Sequence, residues 1–356
     1  MTIQLSEILK KFPELLKLER GSDQMAVEKL WEPSSASEKQ MIFVGKAEHM
    51  TLAKEGQSKI WVVDPKLLAD VPASIPTVLT SPRISLAMAL VGQNFFPIKI
   101  NIQIIEGSNI SERATISPKA TLGKNCIVNP GAVIGDDCHL GDGVIVGANT
   151  VIEPGVTIGS KTRLHPLVFI GHSCLIGERC EIKPHTTIGG EGYGYAQDQA
   201  VNHHRIPHYG RVVIENDVHI GAGVQIDRGT FKDSRIGSGT KIDNHCHFGH
   251  NIEIGRGTII TGGMITAGSV QVGSFCVIGG RTTVAGHLRI GDQVQLGGMS
   301  GVTKSVLTPG QYGGLPLQKI SDELKLRASF KKLPGMQRTL AKVVKKLGLD
   351  LTEVEK

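Results

Sequence analysis

Residues Ala132 to Gly159 read AVIGDDCHLGDGVIVGANTVIEPGVTIG. An aliphatic recurs there every sixth residue, and the beat extends both ways: Ile116, Leu122, Val128, Ile134, Leu140, Val146, Ile152, Ile158, Leu164, Ile170, Ile176, Ile182 and Ile188. It slips over 189–213 and returns at Ile214, Ile220 and Ile226. After a second slip of four residues it runs from Ile236 to Val302, interrupted by Phe248 and Thr266. A period of six is neither the helical 3.6 nor a plain strand alternation. It describes a short strand and a turn used repeatedly, with the aliphatic inward and Gly or Asn accepting the turn's backbone angles. Three such units close one triangular coil, and stacked coils make a parallel β-helix.

Over roughly Ile104 to Val306 the chain resembles the hexapeptide-repeat left-handed β-helix proteins, and the left hand is what that resemblance implies. Residues 1–100 lack the ladder. Helical patterns over 5–19 and 82–95, with apolar strands at 41–44, 60–64 and 77–80, predict a small α/β domain there. The ladder domain is expected over 101–306, with residues 189–213 as an excursion from it. A helical extension follows over 307–356, its helices at 318–332 and 336–347 separated by Pro334 and Gly335. The expected fold class is mainly β: a left-handed parallel β-helix with a small N-terminal α/β domain and C-terminal α-helices.

Composition agrees with a solenoid. Of 356 residues 40% are hydrophobic but only 4% aromatic, which suits a core of Val, Ile and Leu. Cys126, Cys138, Cys174, Cys180, Cys246 and Cys276 all stand two residues before an inward ladder position (Phe248 for Cys246, an aliphatic for the others), where Ala, Thr and Val stand elsewhere. They read as small inward residues, and no C-x-x-C pair suggests a metal or disulfide framework. The net charge of +6 is concentrated at the end: nine Lys or Arg over 319–347 face only Asp322 and Glu323. A solvated helical face is one reading. A surface for an acidic carrier protein or a membrane is the other, and the absence of interleaved aromatics argues against nucleic acid. Neither a signal peptide nor a membrane span is apparent, so a cytoplasmic location is expected.

The chemistry concentrates in IDNHCHFGHN, residues 242–251. His139, His172 and His219 read as ordinary turn residues. His250 and His287 differ, because they follow inward positions 248 and 284, which are six hexads, or two coils, apart. Both therefore fall near one corner of the prism, about 10 Å apart along its axis at strand spacing. Asp243 stands one edge earlier. Seven extended residues reach roughly 20 Å, so a contact between Asp243 and His250 is expected across a subunit boundary. The excursion GGEGYGYAQDQAVNHHRIPHYGRVV carries Tyr193, Tyr195, Tyr209, His203, His204 and His208. Substrate-contacting loop and solvated flap both remain open for it. Phe43, ending a strand, reads equally as a base-stacking aromatic or as core.

GYGYA (192–196), RIPHYGRVVI (205–214), IDRG (226–229), IDNHCHFGHN, GGMITAGS (262–269) and VAGHLRIGD (284–292) together resemble the UDP-3-O-acylglucosamine N-acyltransferases of lipid A biosynthesis. Order and spacing agree over the ladder, the expected N-terminal α/β domain and C-terminal helices also match, and the resemblance covers nearly the whole chain. It implies transfer of a (3R)-3-hydroxyacyl group from acyl carrier protein to the 2-amine of a UDP-3-O-acylglucosamine, by a homotrimer with intersubunit sites. It implies no metal and no resident cofactor, since the carrier's phosphopantetheine brings the acyl group. His250 matches the family's general base, a role suited to an imidazole near neutral pH. Asp243 matches the residue that orients it, and the Gly268 N–H the oxyanion donor. His287, Asn244 and His247 match substrate neighbours. The first domain would bind uridine through Phe43, but Lys46 stands where the family commonly has Asn and His49 where it has Tyr.

Rival readings are an acetyl-CoA-dependent transferase or another hexapeptide-repeat acyltransferase acting on a nucleotide sugar, the lipid A O-acyltransferase, a β-helical carbonic anhydrase and a non-catalytic scaffold. The first leaves the basic helices and residues 1–100 without a job. The O-acyltransferase usually begins its ladder near the N-terminus, and the anhydrase needs three histidines on zinc. One further departure bears on the donor: Gly301 stands where some relatives carry a larger side chain that closes the acyl groove. Donors of graded length should therefore be accepted up to long chains, and a sharp preference for short ones in a transfer assay would contradict this.

Overall fold

The computed structural model describes residues 2–97, 109–313 and 320–347. The chain divides into two compact units, Met1–Asn101 and Ile102–Lys356.

The first unit is built on a five-stranded sheet in the order Lys17–Arg20, Thr77–Thr80, Ile60–Val63, Gln40–Val44, Lys29–Leu30. Its pairs are parallel except at the Lys17–Arg20 edge. Among the described residues three α-helices accompany it: α1 (Leu5–Lys11), α2 (Ala47–Ala53) and α3 (Ile84–Phe95). The helix expected over 5–19 stops at Lys11, and Lys17–Arg20 is a strand. Pro13 explains this, because it disfavours helical angles at Phe12 and cannot donate to the preceding turn. The centre is apolar, with Met41, Ile42, Ile60 and Trp61 buried and the Trp61 indole N–H donating to Ser58 O.

The second unit contains the predicted left-handed parallel β-helix. Among the described residues its three sheets hold ten, nine and ten strands. The first face runs from Thr115–Ile116 to Gly301–Val302, the second from Thr121–Leu122 to Arg289–Ile290, and the third from Ile127–Val128 to Gly310–Tyr312. Register is set by one coil: Ile134 pairs with Ile152, Ile152 with Ile170 and Ile170 with Ile188. The ladder aliphatics form one continuous buried cluster down the axis. All six cysteines are buried free thiols within it, and burial pushes each above its usual pKa.

Corners place non-glycine residues in the left-handed region, among them Asn125, Asp137, Asn149, Lys161 and Phe275. Asn and Asp tolerate this, whereas Lys and Phe do so at a cost that the surrounding ladder offsets. The two ladder exceptions are neighbours: Phe248 pairs with Thr266 on the first face, and both are buried. A small side chain above a large one conserves core volume. The Thr266 hydroxyl also accepts from Gly249 N.

The slip at 189–213 is a detour. The chain leaves the first face after Gly190, which still pairs with Asp227, makes the hairpin Tyr195–Gln197 with His203–Arg205, and rejoins the second face where Leu175 pairs with Val213. The terminal helices are α4 (Ile320–Phe330) and α5 (Leu333–Leu347). The break between them falls at Lys331–Lys332, not at Pro334–Gly335. Pro334 lies instead in the first turn of α5, where a missing N–H costs nothing. No described helix is long and apolar enough to cross a membrane. Truncating Phe248 to Ala should lower β-helix stability by about 3–5 kcal/mol, read as a lower urea midpoint.

Candidate active site

The corner between the first and second faces carries the site. In successive coils the chain there runs Gly249-His250-Asn251, Ala267-Gly268-Ser269 and Ala285-Gly286-His287. Asn251, Ser269 and His287 share the left-handed corner conformation. Backbone bonds tie the stack: Ser269 N donates to His250 O at 2.8 Å and His287 N to Gly268 O at 3.1 Å. His250 is half-buried and His287 exposed.

Local bonds fix the tautomer of His250. The Asn251 amide nitrogen donates to Lys232 O at 3.3 Å, and its oxygen accepts from Thr230 N at 3.1 Å. That oxygen is 2.9 Å from His250 Nδ1, so Nδ1–H donates to it and Nε2 keeps its lone pair. Nε2 faces Gly268: a β-carbon there would lie 2.5 Å from it. Gly268 is thus a glycine for room. Among the described residues its N–H makes no hydrogen bond.

A carboxylate is close by. Asp227 stands just beyond the Ile226–Phe248 pair, beside Gly249. Burial raises its pKa, opposed by the charges of His247 and His250. Next to it, Arg228 is buried and bonds to backbone and imidazole groups. Its N donates to Gly190 O, Nε to Gly189 O and Nη2 to His172 O, and Nη1 meets the His172 ring. The excursion is therefore pinned at its root. From it His208 comes back against His250, ring centroids 5.3 Å apart and planes at 67°.

The other expected residues lie elsewhere. Asp243 and Asn244 sit at the opposite edge of the first face, and both serve the backbone. The Asp243 carboxylate accepts from Gly262 N at 3.0 Å and from Asn244 N at 2.7 Å; the Asn244 oxygen accepts from Ala222 N at 2.7 Å. His247 lies on the first face between the two corners. In the first unit Phe43 belongs to the buried core, and one side of it lines a cavity of about 710 Å³. His49, Leu30, Met88 and Trp31 share that cavity, while Lys46 is exposed at the start of α2 and does not line it. Trp31, exposed and capped by Lys29 Nζ at 3.5 Å from the ring centroid, is not singled out by the sequence beyond being one of two Trp. Asn251, Asp227 and the inward place of His208 are likewise unmarked there.

A family model described as the GMPPB C-terminal domain matches residues 110–209. The UDP-3-O-acylglucosamine N-acyltransferase of Methylococcus capsulatus is 34% identical over 172 residues, 48% of this chain and 49% of that one. The protein of that name from Pseudomonas aeruginosa is 40% identical over 177 residues, covering 49% and 50%. The chain spans about half the length of the curated relatives it matches. Among solved structures, an Arabidopsis UDP-N-acetylglucosamine acyltransferase superposes with a TM-score of 0.50 at 23% identity, over 63% of this chain and 82% of that one. That likeness is one of fold.

Because burial raises the folded pKa of Asp227, its ionised form disfavours folding at neutral pH, and the penalty disappears once it is protonated in both states. Asp227→Asn should therefore raise Tm at pH 7. The gain should shrink as the buffer approaches pH ~4, a trend that scanning calorimetry checks.

Proposed function

We propose that this chain is an N-acyltransferase that moves a (3R)-3-hydroxyacyl group from acyl carrier protein to the 2-amine of a UDP-3-O-acylglucosamine, with His250 as general base. The observation that carries the reading is the free Nε2 of His250 against Gly268, whose N–H has no partner among the described residues. Similarity to UDP-3-O-acylglucosamine N-acyltransferases supports the substrate class.

The chemistry needs both groups. As the amine attacks the thioester carbon a C–N bond forms, and the nitrogen must lose a proton to Nε2. The carbonyl oxygen gains negative charge, which the Gly268 N–H would stabilise. The intermediate collapses by breaking the C–S bond, and the pantetheine thiolate takes the proton from the imidazolium. Asp227 would favour that imidazolium electrostatically. Asp243 would act on His250 only from a neighbouring copy in a homotrimer. His287, two coils farther along the prism, would face the sugar or phosphate, with His247 and Asn244 on or beside the first face.

The cavity of Phe43, Trp31 and His49 would hold the uracil, with Trp31 in place of the missing tyrosine. The basic residues of α4 and α5 would receive the acidic carrier protein, in the cytoplasm. For the acyl chain, Gly301 lines a cavity of about 410 Å³ with Leu296, Met299 and Val302, and a β-carbon added there would meet nothing within 4 Å.

The test is transfer from 3-hydroxyacyl carrier protein to UDP-3-O-acylglucosamine. His250→Ala should lower kcat by about 10²- to 10⁴-fold with Tm and circular dichroism retained. Unchanged turnover would remove the assignment.

A further inference from the structure

The excursion is mostly exposed, with Tyr193, Tyr195, His203, His204, Arg205 and Tyr209 all facing outward. His208 instead turns inward, at 5% exposure. Its Nδ1–H donates to Ile206 O at 3.0 Å, which leaves Nε2 as a bare lone pair. That Nε2 is the only buried side-chain N or O atom among the described residues without a hydrogen-bond partner.

The chain makes room for this ring. A β-carbon on Gly194 would come within 3.1 Å of its Cε1. One on Gly192 would come within 2.9 Å of its Nε2 and 2.8 Å of His250 Cβ, so His208 Nε2 and the His250 side chain flank the same glycine. The following residues are anchored: Tyr209 N donates to Thr230 O and Gly210 N to Gly229 O. A leucine would fill this space without burying an unpaired acceptor, and so unusual an acceptor calls for a physical reason.

We propose that His208 is a positioning residue for His250: the negative end of its ring dipole, at Nε2, is held toward the base and stabilises the imidazolium that forms during proton transfer. This rests on the general-base reading above. The charged and titratable groups around the pair are Arg205 on the excursion, Arg228 and Asp227 at the end of the Gln225–Asp227 strand, and His247 on the neighbouring strand. Burial, the His250 charge and the two arginines keep His208 neutral, against a smaller opposing effect of the Ile206 carbonyl. A neutral ring here presents its lone pair; a charged one would repel the imidazolium.

The experiment compares His208→Phe, which keeps a ring and removes the acceptor, with His208→Gln, which keeps an acceptor oxygen, in the carrier-protein transfer assay. For His208→Phe, kcat should fall about tenfold with KM within about twofold. The acid limb of kcat/KM should move down by about half a pH unit, since the protonated base has lost support. His208→Gln should recover most of both, and His208→Met, more pliant, should follow Phe if Phe does not fold. In the His250→Ala background His208→Phe should cause no further loss. An unchanged acid limb and kcat, or a loss that persists undiminished in that background, would overturn the proposal. Unaffected turnover in His250→Ala alone would instead overturn the general-base reading on which it rests.

Discussion

Away from the insertions, each coil of the prism is bonded to the next by backbone N–H groups that donate seventeen residues ahead, as Val133 N does to Thr150 O at 2.8 Å. Buried backbone groups must be paired, and a one-residue slip would turn a whole face inside out. Insertions are therefore confined to corners, and residues one coil apart are forced into a stack. The meeting of His250 with Gly268 and of Gly268 with His287 is a by-product of that pairing.

The same regularity explains what could be read in advance. A core position repeated every six residues announces itself, so the β-helix, its inward cysteines and the shared corner of His250 and His287 were legible. Local breaks were less so: the strand at Lys17–Arg20 follows Pro13, whose effect the apolar pattern of LLKL masked, and the start of α5 at Leu333 was hidden because Pro334 looks like a terminator. The excursion was illegible in its most telling detail. RIPHYGRVV follows NHH, and nothing in three nearby histidines says which one is turned inward. That choice comes from Gly192, Gly194 and the anchoring of Tyr209 and Gly210, all tertiary facts.

A rigid ladder and a specific local hydrogen bond divide the labour at the corner. The ladder brings His250 and Gly268 together, but the Asn251 amide decides which imidazole nitrogen carries hydrogen, and Lys232 O with Thr230 N decides which way that amide faces. Asp227 and His208 both lie near His250, the first interacting with it by charge and the second with its ring centroid 5.3 Å away. Burial raises the pKa of the first and lowers that of the second, so both are kept from simple solvent-like titration.

The detour at Gly189–Arg211 begins and ends on adjacent edges of a stack that closes regardless, since Leu175 and Ile176 pair with Val213 and Ile214 as though nothing intervened. Such a segment behaves like an appliqué sewn to finished cloth. Its length and lettering can drift without unravelling the weave, so long as the two stitched ends, held by Arg228 and by Gly210, stay put. A segment attached in this way is the place where the chain can change length with the least disturbance to the buried ladder.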